Sequence, residues 1–70
     1  MKGFPTTKAR LVLRALEKTG WIVLRQTGSH KILSKPGYKN YSFSYNDSDE
    51  LNNIILKIIS KATGLQPEDL

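Results

Sequence analysis

The sequence predicts an α+β fold in which two helices pack on one face of a three-stranded antiparallel sheet, in the order α-β-β-β-α. Apolar residues recur at helical spacing near each end of the chain. Between them lie three short segments rich in β-branched and aromatic residues, separated by turn signals that contain glycine. Two amphipathic helices need a surface on which to bury their apolar sides, and one face of the sheet provides it.

The first helix is predicted from one apolar face, formed by Ala9, Val12, Leu13 and Leu16. Their spacing of i, i+3, i+4 and i+7 is that of an α-helix. Thr6 or Thr7 is the expected N-cap, since a threonine hydroxyl can accept a hydrogen bond from a free N–H of the first turn. Gly20 is expected to end the helix in a left-handed conformation.

Three strands are predicted, over residues 21–26, 30–34 and 41–45. A turn at residues 27–29 joins the first two, and Pro36-Gly37 marks the turn before the third. Because both connections are short, neighbouring strands are expected to run antiparallel. In the third strand, Tyr41, Phe43 and Tyr45 alternate with small polar residues and are expected to face the helices.

The second helix is expected to start close to residue 47, with Asp47 or Ser48 as N-cap and Glu50 in a box-like arrangement. Gly64 is expected to end it, and residues 65–70 then add one short turn. Its predicted apolar face consists of Leu51, Ile54, Ile55, Ile58, Ile59 and Ala62.

Length and composition exclude several classes of protein. Seventy residues predict a single domain over 1–70, and the absence of cysteine excludes disulfides and thiolate chemistry. One histidine without cysteine is too few ligands for a transition-metal site, so no metal or cofactor is expected. The longest apolar clusters are far shorter than a membrane span, which predicts a cytoplasmic protein with no membrane partner.

Charge is distributed unevenly along the chain. Residues 1–45 contain nine Lys or Arg and one acid, whereas residues 46–70 contain two Lys and five acids. The net charges are therefore +8 and −3, an asymmetry that fits a polyanionic partner such as RNA or DNA and fits a solubilising surface about equally well. The candidate RNA-binding residues are Arg10, Arg14, Lys18, Arg25, Ser29, Lys31, Lys35 and Lys39.

The α-β-β-β-α order is also the topology of double-stranded-RNA-binding domains, which recognise RNA by shape and backbone contacts. A fold alone does not define a function.

Several segments together resemble the HicA family, also described as YcfA-like, of toxins from toxin–antitoxin pairs. These are LEKTGW at residues 16–21, RQTGSH at residues 25–30, Leu33 before Pro36-Gly37, and the tail GLQPEDL at residues 64–70. The likeness extends over about residues 6–70. Family members often carry a second histidine directly after the first, where this chain has Lys31.

The resemblance implies a ribonuclease that cleaves mRNA, with His30 as the required histidine and Gly28 and Ser29 as the frame of the motif. A single histidine predicts that this cleavage is slow. It also implies a HicB-type antitoxin as a protein partner. An imidazole suits RNA cleavage without a metal, because its ordinary pKa of about 6.5 allows it to act as a general acid or base. Lys35 or Arg25 could then stabilise the charge that develops on phosphorus.

Two other interpretations remain open from the sequence. The chain could be a non-catalytic RNA-binding module, or a protein-interaction domain whose basic face meets an acidic partner. His30 shares one side of its strand with Ile32 and could therefore be a structural residue at the edge of the core. Asp47, Asp49 and Glu50 are interpreted as capping residues rather than as magnesium ligands.

Overall fold

The computed structural model describes residues 4–70, so the predicted domain of residues 1–70 includes three that lie outside the described part. The chain runs through β1 (Thr7–Lys8), α1 (Ala9–Lys18), β2 (Ile22–Thr27), β3 (His30–Ser34), β4 (Tyr41–Phe43), β5 (Glu50–Leu51) and α2 (Asn53–Thr63). A 3₁₀ helix at Pro67–Asp69 forms the expected last turn. The predicted α+β fold is confirmed.

Strands β2, β3 and β4 form an antiparallel sheet in that order, with β3 in the centre. β3 begins and ends as predicted, while β2 begins one residue later and β4 ends two residues earlier than expected. Alternate residues of β3 point to opposite faces of the sheet, and Lys31 and Leu33 are the buried ones. Both helices therefore cover the face that contains Leu33, which is called the inner face.

One hydrophobic cluster joins the two helices to the inner face. Its largest fully buried members are Trp21, Phe43, Leu16, Leu33, Leu51, Leu56, Ile59, Leu65 and Val12. Tyr41 and Tyr45 pack against this cluster, as predicted, and Phe43 and Tyr45 meet edge to face at 5.3 Å between ring centroids. Burial raises the pKa of the Tyr41 hydroxyl, and the neighbouring Tyr45 adds to the shift.

The predicted N-cap of α1 is wrong. Thr7 lies in β1, where it pairs with Leu51, and the Thr7 hydroxyl donates to the carbonyl of Pro5. Thr6 precedes β1. The first N–H groups of α1 are instead satisfied by a distant loop: Ala9 donates to the carbonyl of Asp49 at 2.8 Å and Arg10 to that of Asp47 at 3.2 Å. A tertiary contact thus replaces the local cap.

The predicted start of α2 is also wrong. Asp47 and Ser48 form a turn, and Glu50 belongs to β5, where it pairs with Lys8 and lies 3.5 Å from the ammonium group of Lys8. The N-cap is Asn52, whose side-chain oxygen accepts from the N–H of Ile55 at 3.0 Å. The later start moves Leu51 from the predicted helix face into β5. Gly64 ends the helix with a φ of 77°, as expected.

The apolar face of α2 is narrower than predicted. Leu56, Ile59 and Thr63 are the buried residues, whereas Ile54 and Ile58 are 69% and 60% exposed. Ala62, also assigned to the buried face, is exposed. Helical spacing alone is compatible with both the predicted and the observed buried residues. The side of α2 that packs against the rest of the fold determines which of them are buried. Within residues 4–70, no helix is long and apolar enough to cross a membrane.

This difference predicts unequal effects for the same substitution at two neighbouring positions of α2. Ile59→Val deletes one fully buried methyl group and is expected to lower the free energy of unfolding by about 0.5–1.5 kcal/mol. Ile58→Val deletes the same group from an exposed side chain and is expected to stay within about 0.5 kcal/mol of the parent. Urea unfolding of both variants measures the difference, and equal losses would contradict the assigned faces.

Candidate functional site

The turn between β2 and β3 positions the histidine motif. Thr27 pairs with His30, so the turn has two central residues, Gly28 and Ser29. Gly28 has a φ of +61° and Ser29 does not adopt a positive φ, a pattern typical of a type II′ hairpin turn with glycine first. The side-chain nitrogen of Gln26 donates to the carbonyl of Gly28 at 3.2 Å. This contact holds the turn from the β2 side.

His30 lies on the open face of the sheet. It is exposed, and because Lys31 and Leu33 point inward, His30 and Ile32 point outward. Residues that pair across strands share a face, so Thr27, Arg25 and Ser42 lie on the same side as His30. This outer sheet face is defined here by Arg25, Thr27, His30, Ile32 and Ser42. His30 is therefore not a core residue.

A bulge brings Arg25 to the side of His30. Val23 pairs with Leu33 on the inner face, and the register then shifts so that Arg25 pairs with Ile32 on the outer sheet face. In a regular strand, the side chains of Val23 and Arg25 would point to the same face. The extra residue Leu24 in the bulge places them on opposite faces instead. Arg25 becomes the diagonal neighbour of His30, at about 7–8 Å between backbones, within reach of a long side chain.

Ser29 and Lys31 lie on the other side of the same turn. Lys31 is only 8% exposed and pairs with Gln26 and Phe43 on the inner face. A polar groove of about 450 Å³ opens here, between the turn, α1 and the loop that precedes β5. Both Ser29 and Lys31 line it, and His30 does not. Lys31 and His30 therefore face opposite sides of the sheet.

The basic residues of α1 are separated from His30. Arg10, Arg14 and Lys18 are all exposed on a helix that covers the inner face. Arg14 and Lys18 line a second groove of about 320 Å³, shared with Leu11 and with Leu70 from the chain end. These cations therefore form a surface of their own, on the opposite side of the sheet from His30.

Lys35 and Lys39 lie beyond the far end of β3. Lys35 lies five positions after His30, or about 16 Å along a strand. The ammonium group of Lys35 lies 5.0 Å from the ring centroid of Tyr38, which in turn packs edge to face on Trp21 at 5.3 Å. Lys39 is exposed in the following loop. Of the predicted cationic residues, the fold brings only Arg25 onto the face of His30.

Sequence reasoning missed three residues of the polar groove: Gln26, Asn46 and Asp47. Asp47 was predicted to cap a helix, but it lies in a turn. In this turn, the backbone N–H of Asn46 donates to the carboxylate of Asp49 at 3.0 Å. The run of Asn, Asp and Ser at residues 46–49 is equally typical of such a turn. Within residues 4–70, no three His, Asp or Glu side chains come together as metal ligands.

The fold and its charge define a class: a small, basic α+β domain with the topology found in double-stranded-RNA-binding domains and with one histidine exposed at the tip of a hairpin. The family model of the HicA toxins of bacterial toxin–antitoxin systems matches residues 9–65. The chain therefore belongs to the HicA toxin family. No curated protein and no solved structure matches it.

Proposed function

We propose that this chain is a toxin that cleaves mRNA, with His30 as its general acid or base. The single observation that carries the proposal is the position of His30. Its imidazole is exposed on the outer sheet face at the tip of a hairpin, diagonal to Arg25 and free of the core. His30 is not part of the hydrophobic cluster, so packing of the core does not account for a histidine at this position.

The chemistry uses only groups that the RNA and this face supply. The 2′-hydroxyl of a ribose attacks the adjacent phosphorus, and a base removes its proton while the bond to the 5′-oxygen breaks. An acid returns a proton to that oxygen, which leaves a 2′,3′-cyclic phosphate and a 5′-hydroxyl. His30 serves in one of these two proton transfers, each worth about 10²–10⁴-fold in rate.

Arg25 is assigned the electrostatic part of the reaction. A guanidinium binds two phosphate oxygens at once, and its charge offsets the negative charge that grows on phosphorus as the 2′-oxygen adds. With one histidine and one nearby cation on the outer sheet face, the reaction is expected to be slow. A slow enzyme suffices for a toxin whose effect is to arrest growth.

The other basic residues are assigned to RNA binding rather than to the reaction. Arg10, Arg14 and Lys18 on α1, and Lys35 and Lys39 at the far end of the sheet, offer positive charge to the phosphate backbone away from His30. A HicB-type antitoxin that covers the outer sheet face would neutralise the toxin. The proposal also includes a single functional domain and a cytoplasmic location, where mRNA is present.

Incubation of the purified chain with a single-stranded RNA in the presence of EDTA tests the proposal. We expect fragments that end in a 2′,3′-cyclic phosphate and begin with a 5′-hydroxyl, since the nucleophile is the neighbouring ribose hydroxyl. A matched oligonucleotide with 2′-deoxyribose throughout should bind and stay intact. RNA binding that weakens with added salt, but without cleavage, would instead support a non-catalytic RNA-binding module.

A further inference from the structure

The polar groove on the inner side of the hairpin tip has no role in the reaction above. Its volume of about 450 Å³ lies within the range of about 300–1,000 Å³ typical of small-molecule sites. One apolar side chain, Leu13, lines it together with the polar side chains of Gln26, Ser29, Lys31, Asn46 and Asp47. This lining is more polar than that of most small-molecule sites, so it suits a ligand that carries several hydrogen-bond donors and acceptors.

Lys31 is the unusual member of this set. Lys31 is 8% exposed, belongs to the central strand and lines the groove. Among residues 4–70, the one ion pair within 4.0 Å joins Lys8 and Glu50, so Lys31 has no carboxylate in contact. Because Lys31 forms no ion pair, its ammonium group is available to a ligand that accepts hydrogen bonds.

The groove offers charge of both signs to its ligand. Asp47 and Lys31 both line it, so a free phosphate would meet a negative charge as well as a positive one, which disfavours phosphate as the occupant. A guanine base suits this pair, because its O6 and N7 accept hydrogen bonds from a lysine. Its N1–H and N2–H groups donate, and a carboxylate can accept from both. The side-chain oxygen of Gln26 remains available, since its nitrogen is occupied by Gly28.

We propose that the groove is a base-binding subsite for guanine in single-stranded RNA, read by Lys31 and Asp47. Leu13 would contact the face of the base. Sequence-specific RNA recognition commonly takes unstacked bases and reads their edges in this way. The link to cleavage rests on the proposed function: His30 and Lys31 are consecutive residues on opposite faces of β3. An RNA that crosses the hairpin tip would place a phosphate at His30 and a neighbouring base in the groove.

NMR titrations of the full chain with 5′-GMP, AMP, CMP, UMP and inorganic phosphate test the subsite without requiring cleavage. We expect GMP to shift the backbone amide signals of Gln26, Ser29, Asn46 and Asp47, and to bind at least about tenfold more tightly than the other nucleotides. Equal binding of the four nucleotides, or shifts of the same size with inorganic phosphate, would overturn the proposal.

Two variants locate the recognition. Lys31→Met keeps the carbon chain and removes the ammonium group, and is expected to weaken GMP binding about tenfold. Lys57→Met makes the same change at an exposed lysine of α2, outside the groove and outside the proposed RNA-binding residues, and is expected to leave GMP binding unchanged. Asp47→Asn provides a second test at an exposed position, and it should reduce the preference for GMP over AMP. Unchanged GMP affinity in Lys31→Met or unchanged preference in Asp47→Asn would refute the assignment.

Failure of the subsite and failure of the enzyme give different results. If the chain cleaves RNA but Lys31→Met cleaves the same sites at the same rates, and GMP binding is unselective, the subsite is wrong and the ribonuclease stands. If the chain does not cleave RNA, the ribonuclease is wrong, and the GMP titration still decides whether the groove binds guanine.

Discussion

His30→Ala is expected to lower the rate of RNA cleavage by about 10²–10⁴-fold while the protein stays folded. The loss follows from removal of the only imidazole in the chain, since no other residue type present exchanges a proton as readily near neutral pH. The fold survives because the side chain is exposed on the outer sheet face. The free energy of unfolding should change by less than about 0.5 kcal/mol. Initial rates on a labelled RNA and a urea titration measure both quantities.

The matched control is Thr27→Ala. Thr27 pairs with His30 on the same face and is equally exposed, but its hydroxyl is a poor acid and a poor base. This variant should keep the parental rate. A comparable loss of rate in both variants would indicate that the face binds RNA without proton transfer by His30. An unchanged rate in His30→Ala would remove this histidine from the mechanism.

Phe43→Ala is expected to be the most disruptive change to the fold. Phe43 is 1% exposed and packs on the inner face with both helices, and truncation of a buried phenylalanine costs about 3–5 kcal/mol. At about 0.05–0.15 kcal/mol per residue, a domain of this length has a total stability of roughly 4–10 kcal/mol. The variant should therefore be largely unfolded near 37 °C, as thermal unfolding followed by circular dichroism would show.

Ser42→Ala is the control for Phe43→Ala, because the two residues are neighbours in β4 on opposite faces of the sheet. Ser42 is exposed, and its hydroxyl contacts that of Ser44 at 3.3 Å. The expected change in the free energy of unfolding is within about 0.5 kcal/mol. Similar losses in the two variants would contradict the assignment of inner and outer faces.

The sequence predicted the hairpins well because their signals are local. Gly28 and Gly37 both have positive φ in the turns where glycine was expected, and β3 has the predicted limits. The start of α2 was missed because Asp47, Ser48 and Asn52 are all good N-cap residues, and local pattern does not rank them. The pairing of β1 with β5 determines where α2 starts. This pairing joins two-residue strands that are more than 40 positions apart in the chain.

The candidate site was predicted only in part. The motif places His30 at the start of β3, but which face of the strand is buried depends on contacts of Leu33 and Phe43 with the helices. The bulge at Leu24 that turns Arg25 toward His30 has no clear sequence signature. The groove could not be predicted either, since only the tertiary fold brings Lys31 and Asp47 to its lining.

Induced expression of the parent chain and of His30→Ala, at matched amounts of folded protein in bacterial cells without an antitoxin, tests the central claim most directly. We predict growth arrest and loss of intact mRNA with the parent chain, and normal growth with His30→Ala. Arrest of equal strength by His30→Ala would contradict the account, because toxicity would then not depend on the histidine at the hairpin tip.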